Sequence, residues 1–382
     1  MLSGHVLFWS SFVLLAYTYL GYPLLVFAWA SLRPRAARLR GFEPTVTVLV
    51  VAYNESTRIA ERLDNFLSLD YPKTQLEIVI ASDGSQDDTV QRARAYEAAG
   101  VTVVAFRARR GKSAVLSDLV PKARGEIVVF ADARQRFEIA ALRALVAPFA
   151  DPRVGAVSGE LILTDNAEGT AVGEGIGFYW RYEKFIRRCE ADLDSTVGAT
   201  GAIYAIRRDL FEAIPDETIL DDVLIPVRIT ARGYRVLFEP AARAYDRAAA
   251  TAQEELTRKV RTIGGKFQLF ARERWLLNPF RNRLWLQTVS HAGLRLLIPL
   301  FLVTALGANI FMLDRVFYRW TLVAQFLFYA AALGGSWLRN ARRRIPLLTV
   351  PYTVCFLNWA TVLAFLRFVT GRQSVTWEKS AA

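Results

Sequence analysis

Residues 6–32 contain no charged side chain, and neither do the runs 296–313, 320–338 and 345–366 towards the other end of the chain. Roughly 20 apolar residues are enough for a helix to cross the hydrocarbon core of a bilayer. One amino-terminal span and three carboxyl-terminal spans are therefore expected, with a long charged segment between them. No Lys or Arg precedes the first run and RPRAARLR follows it, the reverse of a cleaved signal peptide, so the run is read as a retained anchor. The basic stretches Arg33 to Arg40 and Arg339 to Arg344 should both face the cytoplasm. That rule puts the middle of the chain inside, the loop near Asp314 outside and, if the run 345–366 crosses fully, the tail GRQSVTWEKSAA outside as well; the expected location is a bacterial-type inner (plasma) membrane.

The net charge is +12. Much of that excess adjoins the expected spans, where anionic lipid headgroups are the natural partners, so no nucleic acid is expected. The two cysteines, Cys189 and Cys355, are too few for a disulfide framework and lack the spacing of a metal site.

The middle alternates strands with helices. VTVLVVA (46–52), LEIVIAS (76–82), VTVVAF (101–106) and GEIVVFAD (125–132) are nearly continuous apolar runs, and helical patterns fill the gaps, notably 138–150. Such strands belong to a parallel sheet covered on both faces, and sheets of that kind bind ligands at the carboxyl ends of their strands. The polar clusters YNES, DGSQDDT and RARRGKS, and Asp132, all fall at those ends. A nucleotide or sugar-phosphate pocket follows from that coincidence.

Asn54 and Ser56 suit a helix cap. Asp83 suits either a hydrogen bond from a nucleobase or ribose or a cap in its own right, with Ser85 and Asp87 as rival caps. Gly111 and Lys112 stand at a helix start, where N–H groups and a lysine suit a diphosphate. Asp132 has Arg134 two residues on, the position at which a second carboxylate would complete a metal clamp. In an extended chain those two side chains share a face. Asp221 and Asp222 open a further helix; adjacent helical residues point about 100° apart, so one of the two is expected to face the pocket well. The helix over 177–194 is aromatic and charged, and 254–274 mixes basic and apolar residues as an interfacial helix would. The expected organisation is an anchor and basic linker (1–40), a catalytic domain (41–252), amphipathic interfacial helices (253–292) and a carboxyl-terminal membrane region with its tail (293–382).

Taken in order, VTVLVVAYNE, ASDGSQDDT, RRGKS, VVFADA, TGAIYAIRR and LDDVLIPVRI resemble the inverting family 2 glycosyltransferases of GT-A fold, in the membrane-embedded branch that holds hyaluronan, cellulose and chitin synthases. The resemblance covers about residues 44–265. It implies an α/β domain with a mostly parallel central sheet and a UDP-sugar donor held by Ala52, Tyr53, Glu55, Asp83 and Lys112. It implies Mg²⁺ or Mn²⁺ at Asp132, catalysis by Asp222 as base beside Asp221, and an acceptor bordered by Gly201 and Ala202. The product would be an envelope polysaccharide or glycolipid, with room for export or polymerisation partners. Two features depart from the family pattern. The QxxRW motif is absent: RKVRT aligns Arg261 with its arginine and puts Thr262 in place of its tryptophan, with Arg274 and Trp275 as a rival alignment. Asp-x-Asp is reduced to ADAR, read as a one-carboxylate metal site because Mg²⁺ keeps waters and takes phosphate oxygens. Two other readings stand beside polymer extension: transfer of one sugar to a polyprenyl-phosphate carrier, and a catalytically silent partner of a true synthase.

Overall fold

The computed structural model describes residues 2–35, 42–164, 171–249, 251–337 and 345–372. The stretches RPRAARLR and RNARRR, on which the orientation rests, fall mostly or wholly outside the described residues, as does nearly all of the tail.

Eight strands form one sheet: β1 (Val46–Ala52), β2 (Leu76–Asp83), β3 (Val101–Phe106), β4 (Ile127–Ala131), β5 (Arg136–Phe137), β6 (Val154–Thr164), β7 (Ile203–Arg207) and β8 (Arg235–Arg247). Their order is β3-β2-β1-β4-β7-β6-β8-β5. The β1–β2, β2–β3, β1–β4 and β6–β8 pairings are parallel, whereas β7 runs antiparallel to both its neighbours and β5 to β8. The sheet is thus mixed but mostly parallel. Side chains alternate between two cores as the period of a strand requires: Val46, Val48 and Val50 pack on one face with Phe66 and Leu145, while Leu49, Val128 and Phe130 pack on the other with Leu116 and Ile225. Burial on both faces explains the unbroken apolar runs of β1 and β4.

Strand order decides where a site can form. The chain leaves β1 for β2 and β3 on one side, then returns to β4 on the other, and this reversal opens a crevice at the carboxyl ends of β1 and β4. Antiparallel β7 then pairs Ile203 with Ala131. The residues just before β7, Gly201 and Ala202, are thereby brought beside the residue just after β4, Asp132.

Among the described residues, four helical segments are long and apolar enough to cross a membrane: Gly4–Leu32, Trp285–Ile310, Val316–Trp337 and Pro346–Val369. Two amphipathic helices join them to the sheet. Ala171–Leu193 packs Ile186, Cys189 and Leu193 on Tyr22, Val26 and Ala30 of the first span, and Ala252–Arg272 packs Val260 on Ala360 and Ala364 of the last. The first two spans each contain one π-helical turn, Tyr17–Gly21 and Thr288–Gly293.

Three local expectations are corrected. Asn54 and Ser56 do not cap the next helix, which begins at Ile59 with no side-chain cap. Instead Asn54 adopts φ 53° and its Oδ1 accepts a hydrogen bond from Gln86 N at 2.8 Å, tying the β1 and β2 loops together. Strand β6 and the short β5 escaped the sequence reading. The extended geometry assumed for Asp132 and Arg134 fails because β4 stops at Ala131 and the chain bends at once.

Candidate active site

Lys112 is the hub of the site. Its helix, Lys112–Leu119, starts after Gly111, whose φ of 92° suits glycine alone among common residues. Asp83, 3% exposed at the end of β2, fixes that turn. One of its oxygens accepts from Arg110 N at 2.7 Å and the other from Gly111 N at 2.8 Å. The carboxylate is thus engaged on both oxygens by the phosphate-type loop. From this start Lys112 Nζ lies 3.1 Å from Asp132 Oδ1 and 3.3 Å from Asp221 Oδ2. Burial pulls the ammonium towards its neutral form, but Asp132, Asp221 and Asp222 outweigh that and hold its pKa above the usual lysine range.

Asp221 and Asp222 open the helix Asp221–Ala231 and point different ways, as adjacent helical residues do, so that each meets a different part of the site. Asp221 is 6% exposed, paired with Lys112 and accepting from the Tyr204 hydroxyl at 3.3 Å. The Tyr204 ring stacks on Phe130 with centroids 4.5 Å apart. Asp222 turns the other way, and its Oδ2 accepts the Gly201 N–H at 2.9 Å. Burial first, and then the charge of Asp221, push the Asp222 carboxyl up to about 6, against the opposing pull of Lys112 and Arg187. Such a carboxylate is a stronger base than an exposed one and is still ionised at neutral pH.

Several elements hold this pair in place. Ala199 N donates to the Asp222 carbonyl at 2.8 Å, Ser113 Oγ to the Thr218 carbonyl at 2.8 Å, and Ile219 N to Gln268 Oε1 at 3.1 Å. Helix Ala252–Arg272 approaches closely here: a Cβ on Gly265 would meet Leu220 Cγ at 2.6 Å. Arg261, on the same helix, lies within electrostatic reach of Asp221, Asp132 and Asp222, although burial lowers its pKa overall. The rival alignment fares differently, since Trp275 packs on the soluble core and donates its indole N–H to Glu273 at 2.9 Å.

The rest of the expected donor set lines the β1 and β3 ends. Ala52 is buried, and the Arg109 guanidinium sits 3.8 Å from the Tyr53 ring centroid. Glu55 lies beyond β1, its N–H donating to Thr89 Oγ1 at 2.8 Å and its carboxylate 3.3 Å from Arg58 Nη1. Gly201 and Ala202 adjoin Asp222 and the end of β4. Arg134 turns away from the diphosphate side: its Nη2 is 2.8 Å from Asp246 Oδ2 on β8, where Gln135 Nε2 also donates at 3.0 Å.

Two side chains beside the candidate site were missed by sequence reading. Arg187 donates to Thr200 Oγ1 at 2.9 Å beside the Gly201 turn; in sequence it reads as an ordinary i,i+4 partner of Glu183. Arg62, 2% exposed between the rings of Phe66 and Phe137, donates from Nε to the Asp132 carbonyl at 3.1 Å. Nothing in its local sequence distinguishes it from a surface arginine.

As for a divalent metal, no group of three or more potential ligands clusters among the described residues. Asp132 offers a half-exposed carboxylate with one oxygen next to Lys112, and Arg134 adds no ligand. This donor set fits an ion that takes one carboxylate oxygen from the protein and the rest from water and phosphates.

A mixed sheet with a crevice at its strand reversal, a lysine-and-carboxylate cluster there and apolar spans on either side define a membrane-associated transferase of GT-A fold. Residues 44–265 match the family described as Glycosyltransferase like family 2, and the chain belongs to that family. It is 34% identical over 158 residues to the beta-monoglucosyldiacylglycerol synthase of Trichormus variabilis, covering 40% of this chain and 34% of that protein. It is 27% identical over 238 residues to the poly-beta-1,6-N-acetyl-D-glucosamine synthase of Staphylococcus aureus, covering 60% and 56%. The matches thus span about a third to just over half of these curated relatives. Among solved structures, mannosyltransferase PcManGT from Pyrobaculum calidifontis, in complex with GDP-Man and Mn²⁺, superposes with a TM-score of 0.73 at 24% identity, over 96% of this chain and 99% of that one.

Proposed function

We propose that this protein transfers a hexosyl group from a UDP-sugar to a hydroxyl of a glycolipid or growing envelope polysaccharide, inverting the anomeric centre in a single displacement. The observation that carries the reading is the convergence of Lys112, Asp132, Asp221 and Asp222, drawn from three distant parts of the chain, at the crevice where ligands bind in such sheets. Asp222 accepts the acceptor hydroxyl's proton as that oxygen attacks the anomeric carbon and the bond to the departing nucleotide breaks. The Gly201 N–H fixes one oxygen of Asp222, and among the described residues the other accepts no hydrogen bond. Asp221, held by Lys112 and Tyr204, keeps Asp222 basic by repulsion. Lys112 and Arg261 supply positive charge towards the leaving diphosphate, and Asp83 sets the loop that presents Lys112. Asp132 is the residue that would hold Mg²⁺ or Mn²⁺, which supplies further charge neutralisation on the diphosphate when bound.

The catalytic domain is assigned to the cytoplasmic side of a plasma membrane on the strength of its flanking basic segments. Transfer to a hydroxyl is favoured over transfer to a lipid phosphate because a phosphate oxygen is already ionised and needs no base, whereas the raised carboxyl of Asp222 suits an alcohol. Membranes carrying the full chain, incubated with a panel of UDP- and GDP-sugars with and without Mn²⁺, should release UDP from one donor and form a glycosylated, organic-extractable or polymeric product. Release from no donor would remove the proposal.

A further inference from the structure

The turn that holds Asp222 fits it closely: a Cβ on Gly201 would meet Asp222 Oδ2 at 3.0 Å. A small shift of this turn therefore moves the carboxylate. Thr200, the residue before Gly201, sets the turn through three contacts. Its N–H donates to Ser158 Oγ at 2.9 Å and its carbonyl accepts from Ile203 N at 2.9 Å. Its Oγ1 accepts from Arg187 Nη1, also at 2.9 Å. The first two partners lie on strands β6 and β7. The third comes from outside the sheet, from helix Ala171–Leu193.

Arg187 is itself held from the membrane side. Its Nε lies 3.6 Å from Glu183 Oε1, one helical turn back. The span Trp285–Ile310 brings His291 Nε2 to 2.8 Å from the same oxygen, and Arg295 Nη1 donates to Glu183 Oε2 at 2.6 Å. The other imidazole nitrogen lies 2.9 Å from Glu190 Oε1, which also accepts from the Tyr22 hydroxyl of the first span. Glu183, Glu190 and His291 are all buried. Charges taken out of water are unfavourable unless well paired, and the proposed transfer chemistry touches none of these groups. What the network does join, contact by contact, is two membrane spans and the turn against the base.

We propose that Arg187 and Glu183 are positioning residues for Asp222: Arg187 sets the Thr200–Gly201 turn, and Glu183 holds Arg187 against the second span. This rests on the reading of Asp222 as the base, and it adds that the membrane spans take part in placing that base. The charge of Arg187 acts in the same place as its hydrogen bond. With Lys112 it opposes the rise of the Asp222 pKa. The other groups facing Asp222 are Asp221 beside it, Asp132 just after β4, Tyr204 on β7 and Arg261 on helix Ala252–Arg272. None of them shares the helix of Arg187.

The test combines donor binding, kcat and the pH profile of the full chain in membranes, with the sugar nucleotide that supports transfer. Arg187→Gln should lower kcat by about 10–100-fold while the donor Kd stays within about twofold. It should also move the acid limb of kcat/KM upward by about half a pH unit or more, because a cation facing the base is lost. Arg187→Lys keeps the charge, so it should return the limb to its original place and recover part of the rate. Glu183→Gln leaves one amide oxygen where two carboxylate oxygens served Arg187, His291 and Arg295; kcat should fall several-fold with the donor KM unchanged. Rate and donor binding lost in step, or an acid limb unmoved in Arg187→Gln, would overturn the inference and leave the reading of Asp222 standing. A flat profile in the unaltered chain would instead remove Asp222 as the base, and this inference with it.

Discussion

On the donor wall of the crevice, Asp83 and Asp132 stand at strand ends and Lys112 at the first turn of a helix, each placed by the sheet itself. On the membrane wall, Arg187 and Arg261 stand on two long helices, placed by contacts with spans up to 168 residues away in sequence. The first wall is stiff because backbone N–H groups close on Asp83 and strands register residue by residue. The second is as stiff only as the seam between the helices and the membrane segments, where two π-helical turns face each other through a 2.8 Å contact between Tyr17 and Ser290. Turns of that kind recur at functional sites. In the proposed reading, donor geometry is a property of the sheet domain, and acceptor-side geometry a property of that domain together with the membrane segments.

That contrast can be broken by mutation. The largest effect should come from Asp132→Ala, which removes both the carboxylate proposed to act at the diphosphate and a partner of Lys112; activity should fall by about 10³-fold or more across all metal concentrations. A variant that recovers full rate at high Mn²⁺ would show Asp132 acting on metal affinity alone. Next is Lys112→Gln, expected to cost about 10²-fold in kcat and to move the acid limb of the pH profile upward, because Lys112 opposes the rise of the Asp222 pKa. The same reasoning fixes the sign for the unaltered chain. A base with its pKa raised to about 6 is protonated below that pH, so kcat/KM should fall about tenfold per unit below 6 and level off above it. A flat profile down to pH 5 would exclude Asp222 as the titrating base.

The smallest effect concerns Arg134. Sequence alone suggested that Arg134→Asp would complete a two-carboxylate clamp and tighten Mn²⁺ binding. Its pairing with buried Asp246 reverses that expectation: the substitution would set a second acid, at a position 24% exposed, against Asp246 at 4%, a loss of order 3–5 kcal/mol in stability. Arg134→Gln should leave the Mn²⁺ dependence within about twofold. A marked tightening by either substitution, read by Mn²⁺ titration, would return Arg134 to the metal side.

The two walls were also unequally legible. Strands β1 to β4 announced themselves because burial on both faces leaves no polar alternation, and polar residues at their ends could be ranked by position. Sequence left Arg134 either facing the pocket or paired with an acid; it pairs with Asp246, and the end of β4 at Ala131 cancels the shared face that its spacing implied. The motif TGAIYAIRR was legible but not the antiparallel direction of β7 within it, and direction is what sets Gly201 beside Asp132. Arg62 and Arg187 were invisible as neighbours of the site: arginine on amphipathic helices reads as solvated charge until tertiary packing shows what faces it. Glu183 with His291, 108 positions apart, has no signature in any local window.

The central claim is that Asp222 takes a proton from an alcohol acceptor at a donor site it does not itself build. Single-turnover measurement on Asp222→Asn with the turned-over donor tests it most directly. The account predicts sugar-nucleotide binding within a few-fold of the unaltered chain and a transfer rate lower by about 10²–10⁴-fold. Transfer at the unaltered rate, or loss of donor binding in step with loss of rate, would contradict it.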